Sequence, residues 1–254
     1  MRIKVLGYNG SIGADRHTTS FLIDDDVLLD AGTGVGTLSL EEIRHIKHVF
    51  LTHSHLDHLA GLPLMLDSIF QEIDVPVTVH GLDETLATLR EHIFNWKIWP
   101  DFTVLPSAGH PVVRVETLTP GNVLMLNQRK IHMIPVNHVV PAVGYCIEHA
   151  SGMFAFSGDT TTNDSFWEAL NRQDRLDLLF VEVAFPDKNI DIAHKARHYC
   201  PRLLAADIGK LRHRPRIYIS HPKPGFEDIV LRECQAQIAD FHIACLAGGE
   251  VFVL

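Results

Sequence analysis

Apolar residues in this chain come mostly in short runs closed by glycine, aspartate or proline. That is the pattern of strands ended by turns rather than of long amphipathic helices. Ile3 to Leu6, Thr18 to Ile23 and Val27 to Leu29 read as the first strands, with turns over Gly7 to Gly13 and at Asp24-Asp25-Asp26. Lys47 to Leu51, Pro76 to His80, Arg114 to Leu118, Val123 to Leu126, Ile131 to Val136, Leu178 to Val183, Ile217 to Ser220 and Val251 to Leu254 continue the series. Ala142 to Glu148 and Met153 to Phe156 are expected to pair as a hairpin closed at Ser151-Gly152. Helical spacing is confined to a few segments. Ser39 to Ile46, Pro63 to Phe70, Phe166 to Leu170 and Phe226 to Gln237 are predicted helices. Leu82 to His92 is another, with Leu82, Leu86 and Leu89 on one face and Asp83 and Glu84 in its first turn. Ile192 to Leu211 holds one or two helices, broken near Pro201. Both halves show strands followed by helices, with no linker or low-complexity segment between them. An α/β fold follows, with two sheets packed together and helices outside, as one domain over residues 1–254.

Composition narrows the classes. The 254 residues are 46% apolar, which excludes disorder. No run reaches the roughly 18 apolar residues of a membrane span. The apolar run at the start is too short for a secretory signal, so the expected location is the cytoplasm or the nucleus, with the cytoplasm favoured. Cys146, Cys200, Cys234 and Cys245 are widely spaced and form no C-x-x-C pair, so buried free thiols are expected. The net charge of -9 argues against a broad nucleic-acid face, and nucleic acid is therefore not expected as a partner. A small anionic substrate would need metal ions or local Arg and Lys groups to offset that charge. The outlying number is the 17 histidines.

Their chemistry concentrates in Thr52-His53-Ser54-His55-Leu56-Asp57-His58, just after an apolar run. Imidazole nitrogen and carboxylate oxygen are good zinc ligands. In an extended segment His53 and His55 point the same way. Asp57 and His58 lie past that segment and reach a second ion if the chain turns there. His138, Asp159 and His221 each follow a predicted strand, and together they supply the ligand number that two ions need. The glycines make no phosphate-binding loop: neither the G-x-x-x-x-G-K-[ST] order nor a dinucleotide fingerprint is present. They fit tight turns beside the histidines.

The H-x-H-x-D-H string, the later His, Asp and His, Leu29-Asp30-Ala31-Gly32-Thr33-Gly34 and Ser157-Gly158-Asp159-Thr160 together resemble the metallo-beta-lactamase fold. Narrower stretches resemble the class II 3',5'-cyclic-nucleotide phosphodiesterases. These are Thr52 to Leu62, Glu91 to Phe102 with its Phe94-Asn95-Trp96-Lys97-Ile98-Trp99-Pro100, His221-Pro222-Lys223-Pro224, and Phe180 to Pro186 followed by His198 to Leu204. Two features depart from that family: the chain is compact beside its longer fungal members, and Val183-Ala184 stands where the family has a serine region.

The resemblance implies a four-layer αβ/βα sandwich of two mixed sheets. It implies a first ion on His53, His55 and His138, a second on Asp57, His58 and His221, and Asp159 bridging both. The ions would be zinc, with manganese or iron also suited to such ligands. Cyclic AMP, cyclic GMP or both would be cut to the 5'-monophosphate by a hydroxide shared between the ions, which also offset the phosphoryl charge. Asp57 would orient the water as well as ligate. His198 is the candidate for an added acid or phosphate contact, since the related transfer-RNA-processing nucleases use a non-ligand histidine there. Asp30 would accept a bond from a metal-bound imidazole and fix its tautomer. Lys223, two residues past His221, is a candidate for neutralising phosphate, and Phe94, Trp96, Trp99 and Phe102 are candidates for stacking a base. The fold is compatible with a homodimer. The alternatives are a zinc-dependent endoribonuclease related to transfer-RNA 3'-processing enzymes, another hydrolase on the same fold, and a non-catalytic binding protein, which loss of a ligand would signal.

Overall fold

A computed structural model describes all of residues 1–254. Two seven-stranded sheets form its centre. The first runs Val251–Val253, Arg2–Gly7, Ser20–Ile23, Val27–Leu29, His48–Phe50, Val77–Gly81, Val113–Thr117 in spatial order. Its first three pairings are antiparallel and its last three parallel. The second runs Ile243–Cys245, Arg216–Ser220, Leu178–Glu182, Gly152–Phe156, Ala142–His149, Arg129–Val136, Val123–Leu126. Here the first three pairings are parallel and the last three antiparallel. Both sheets are therefore mixed, as expected.

Side-chain alternation builds the layers. Ile3, Val5, Phe21, Ile23, Val27 and Leu29 of the first sheet meet Val143, Tyr145, Ile147, Phe154, Phe156, Leu178 and Phe180 of the second in one buried cluster. The intervening Leu6, Leu22 and Leu28 face outward onto helices, in a separate cluster with Leu62, Met65, Leu66, Leu86 and Leu89. Cys146, Ala155, Leu179 and Val181 do the same on the far side, against Phe166, Trp167, Leu204 and Val230. These three clusters make an αβ/βα sandwich: the two packed sheets with helices outside that the run-and-turn pattern predicts, in the layers that the resemblance implies.

Most predicted elements lie within a residue or two of their predicted bounds, and the differences have local causes. Ser39 is not helical but caps Leu40–His45, its hydroxyl accepting from the Glu42 amide while the Glu42 carboxylate accepts from the Ser39 amide. The predicted helix from Pro63 begins earlier, as two short helices, Leu56–Leu59 and Gly61–Ser68. Ile192 to Leu211 resolves into Ile190–Ala196 and Pro201–Ile208. Arg197 in the left-handed conformation ends the first helix, and Pro201 opens the second. Ile243–Cys245 is a strand that the sequence pattern did not indicate. All four cysteines are free; Cys146, Cys200 and Cys234 are buried and Cys245 is half-buried. No helix is long and apolar enough to cross a membrane.

One histidine outside the central cluster is part of the packing between the sheets. His80 lies flat on Phe50 at 4.4 Å, with a ring nitrogen 3.0 Å from His48 Nδ1. Burial, reinforced by the neighbouring His48, pushes its pKa from 6.5 down to about 4. Below pH 6.5 the unfolded chain takes up a proton that the folded chain refuses, so His80 costs stability progressively as pH falls from 6.5 towards 4. Thermal unfolding of wild type and His80→Phe from pH 7.5 to 4.5 is expected to show a shallower acid loss in the variant. Parallel curves would contradict this.

Candidate metal centre

Strand direction brings the site together. In the second sheet Arg129–Val136, Gly152–Phe156, Leu178–Glu182 and Arg216–Ser220 all run the same way. Their C-terminal ends therefore lie along one edge and deliver His138, Asp159, Glu182 and His221 to it. In the first sheet Val27–Leu29 and His48–Phe50 are parallel, and they end at Asp30 and at Thr52-His53. His55 is still extended (φ -70°, ψ 147°) and stands at the N-cap of Leu56–Leu59. The chain does turn there, and the helix carries Asp57 and His58, whose ring lies 4.3 Å from that of His53.

Two sets of ligand atoms result. His53, His55, His138 and Asp159 form one, and Asp57, His58, Asp159 and His221 the other; within each set the atoms lie within 4.8 Å of one another. Asp159 belongs to both. Its Oδ2 is 3.7 Å from His53 Nε2, and its Oδ1 is 3.3 Å from His58 Nε2 and 3.2 Å from His221 Nδ1. His55 Nδ1 and His138 Nε2 are 3.2 Å apart. Most of this lies under the surface: His53, His58, His138, Asp159 and His221 are buried, and His55 and Asp57 are half-buried.

The outer nitrogens decide which inner ones are free. Buried Asp30 accepts from the Thr52 amide on Oδ1 (2.8 Å), and from the Thr52 hydroxyl (2.8 Å) and His58 Nδ1 (2.7 Å) on Oδ2. Beside a carboxylate, His58 Nδ1 must carry a proton, so Nε2 is the nitrogen left to hold a cation. The Thr52 hydroxyl spends its proton on Asp30 and accepts from His53 Nδ1 at 2.9 Å, so His53 Nε2 is bare. His138 Nδ1 donates to the Arg197 carbonyl at 3.1 Å, and the Arg197 guanidinium donates to the His138 carbonyl at 2.7 Å. The left-handed turn at Arg197 thereby holds His138 from both ends.

The residues fit a pair of cations. His53 Nε2, His58 Nε2 and Asp159 Oδ1 are buried with no hydrogen-bond partner. Leaving such atoms unpaired is costly, and one ion on the His53 set with a second on the His58 set, sharing Asp159, would satisfy all three. Burial drives the pKa values of His53 and His221 well below the ordinary range and that of His138 to about 4, so these rings stay neutral and able to ligate. Burial also opposes a charged His58, but Asp159 and Asp30 outweigh it and hold its pKa well above the ordinary value. The two carboxylates thus call for positive charge at that ring, which a cation on Nε2 provides. Two clustered ligand sets of this kind are consistent with a binuclear metal centre.

The remaining candidates divide. His198 is beside the centre, its ring stacked on His221 at 5.2 Å and tilted against His138 at 5.1 Å. Its Nδ1 donates to Glu182 Oε1 at 2.8 Å. Burial works against a charged His198, but Glu182 overcomes it and raises the pKa; burial likewise raises that of Glu182. Glu182 is the functional candidate that the sequence analysis missed. Lys223 also borders the centre, its Nζ 2.6 Å from the Gly10 carbonyl and 3.3 Å from His221 Nε2. In the aromatic stretch, Phe94 and Phe102 are buried in the outer core against the first sheet's helices, Trp99 packs on that core, and Trp96 is exposed. A base cannot stack on a ring already enclosed, so the expectation is corrected for Phe94 and Phe102. Phe185, edge-on to His198 at 5.9 Å, is the phenyl ring bordering the centre. The glycines matter through close approach. A Cβ on Gly32 would lie 2.3 Å from the Asp57 carbonyl, and one on Gly10 2.8 Å from the His221 ring.

Comparison with known proteins sets this centre in a family. A family model described as "Beta-lactamase superfamily domain" matches residues 26–219. A Yersinia pestis protein named "Probable 3',5'-cyclic-nucleotide phosphodiesterase" is 28% identical over 208 residues, covering 72% of this chain and 58% of its own length. This chain thus spans less than two thirds of that relative. A "Ribonuclease Z" of Methanococcus maripaludis is 32% identical over 103 residues, 39% of this chain and 31% of its own. The crystal structure of the metallo-beta-lactamase fold protein YhfI from Bacillus subtilis superposes with a TM-score of 0.80 at 18% identity, covering 99% of both chains. The Ribonuclease Z relatives overturn the expectation that nucleic acid is not a partner. Net charge sums over the whole surface, whereas a bound polyanion meets the local field of the site, so -9 does not exclude one. The fold is the metallo-beta-lactamase fold, with its two mixed sheets flanked by helices, and the chain belongs to the beta-lactamase superfamily.

Proposed function

We propose that this protein is a metal-dependent phosphodiesterase that hydrolyses 3',5'-cyclic nucleotides, cyclic AMP or cyclic GMP, to 5'-monophosphates. The observation that carries the reading is the pair of ligand sets sharing Asp159, with the Glu182–His198 pair alongside. His53, His55, His138 and Asp159 would hold one ion, and Asp57, His58, Asp159 and His221 the other. Zinc suits this donor set, with manganese or iron as alternatives. The ions would supply Lewis-acid charge for the phosphoryl oxygens and lower the pKa of water.

The chain's own residues do the rest. Asp30, through Thr52 and His58, keeps two imidazoles in the ligating tautomer. Asp57, a quarter exposed where the other second-set ligands are buried, is placed to hold and orient the attacking water. The His198 ring keeps its Nδ1 proton on Glu182 and makes no other hydrogen bond within the chain, so Nε2 is the atom that protonates the departing 3' oxygen. The cyclic-nucleotide choice is supported by the named Yersinia pestis relative, which matches 72% of the chain against 39% and 58% for two Ribonuclease Z relatives. The free thiols suit a reducing cytoplasm, where we place the protein. A second reading has support of its own. Several Ribonuclease Z relatives match, and the same centre would serve a phosphodiester in RNA.

Zinc-loaded protein offered cyclic AMP, cyclic GMP, a 2',3'-cyclic nucleotide and a transfer-RNA precursor is expected to open the 3',5'-cyclic substrates, and His58→Ala to lose that activity. Trimming of RNA with the cyclic substrates untouched would replace the first reading by the second. His198→Ala is expected to keep both ions and lose about 10²- to 10⁴-fold in kcat with little change in KM; full kcat would remove His198 from the reaction. Asp30→Asn, which no longer enforces the His58 tautomer, is expected to bind zinc about 10- to 100-fold more weakly by chelator competition. Wild-type affinity would show that Asp30 does not tune the centre.

A further inference from the structure

Lys223 offers an atom that the mechanism above does not use. Its ammonium donates to the Gly10 carbonyl at 2.6 Å and lies 3.3 Å from His221 Nε2, the nitrogen that faces Asp57 Oδ2 at 3.6 Å. The surrounding backbone fixes that position. The His221 amide donates to the Tyr8 carbonyl, the Gly10 amide to the Pro222 carbonyl, and the Lys223 amide to the Ala184 carbonyl. A side chain on Gly10 would collide with the His221 ring, so the loop lies flat against the ligand. The Gly10 carbonyl and these backbone bonds, which do not depend on an ion, therefore hold the ammonium at the rim of the second ligand set.

Hydrogen accounting gives the consequence. An ammonium can only donate, and His221 Nε2 accepts only while its lone pair is free. If the ion sits on Nε2, that lone pair is used. If it sits on Nδ1, the neutral ring carries its hydrogen on Nε2. On either nitrogen, occupation of the second set removes Nε2 as an acceptor and leaves a Lys223 N–H without a partner beside the ion.

We propose that Lys223 is a substrate-binding residue whose ammonium, released from His221 when the second ion binds, grips a non-bridging oxygen of the phosphoryl group. The proposal rests on the reading of the centre as a phosphodiesterase but not on which diester it cuts. Gly10 retains one hydrogen of the ammonium, and the phosphoryl oxygen takes the one that His221 gives up. In a chain with nine more acidic than basic groups, a local cation at this point offsets the repulsion that a phosphate would otherwise meet.

Calorimetric titration of zinc-loaded wild type, Lys223→Gln and Lys223→Arg with inorganic phosphate tests it, with zinc content and thermal midpoint measured on each protein. The expected result is two ions per chain throughout, phosphate about tenfold weaker in Lys223→Gln, and Lys223→Arg within about threefold of wild type. Equal phosphate affinity in wild type and Lys223→Gln would overturn the Lys223 assignment alone. Wild type that holds two ions and binds no phosphate would overturn both that assignment and the phosphodiesterase reading. Loss of zinc or of thermal stability in both variants would make Lys223 a structural strap between its loop and Gly10, and would equally overturn its role in binding.

Discussion

The centre depends on one buried carboxylate. Asp30 sits at the end of a strand with positive φ, fully enclosed, and accepts three hydrogen bonds from Thr52 and His58. Burying a carboxylate is costly unless its oxygens are satisfied, and these three bonds satisfy them. In return Asp30 fixes the proton of His58 directly and that of His53 through the Thr52 hydroxyl. Both rings then turn Nε2 towards Asp159. Without that constraint the histidine-rich loop would be a group of imidazoles with undecided tautomers.

Strand polarity accounts for the rest of the assembly. Each ligand-bearing strand ends at the same edge of its sheet, and the shared apolar layer, from Ile3 and Phe21 to Tyr145 and Phe180, holds the two sheets' edges in register. The Tyr8–Gly10 loop of the first half bonds to the His221–Lys223 segment of the second, so the two halves meet at the centre as well as in the core. A rigid scaffold with loops at strand ends is shared by many chemistries, so the fold does not choose the substrate; on the function we propose, substrate is met by residues such as His198 and Lys223, which lie outside the two ligand sets.

Much of this was legible in the sequence. The alternation in Ile3 to Leu6, Phe21 to Ile23 and Leu178 to Val183 is the alternation of the two core faces. The clustered histidines, with His138, Asp159 and His221 at strand ends, assemble into the two expected sets. What escaped did so for physical reasons. Glu182 lies inside Leu178 to Val183, where the apolar run hides it; a lone carboxylate in such a run was the available signal, since burying one calls for a partner, here His198. The aromatic stretch misled because composition does not say which face a ring occupies: Phe94 and Phe102 fill core space. Net charge misled because it carries no position.

Anomalous diffraction from a zinc-loaded crystal tests the central claim most directly. Two peaks a few ångströms apart are expected, each about 2.0–2.2 Å from a different carboxylate oxygen of Asp159, with His53, His55 and His138 around one and Asp57, His58 and His221 around the other. A single peak, or two peaks of which one has no contact with Asp159, would contradict it.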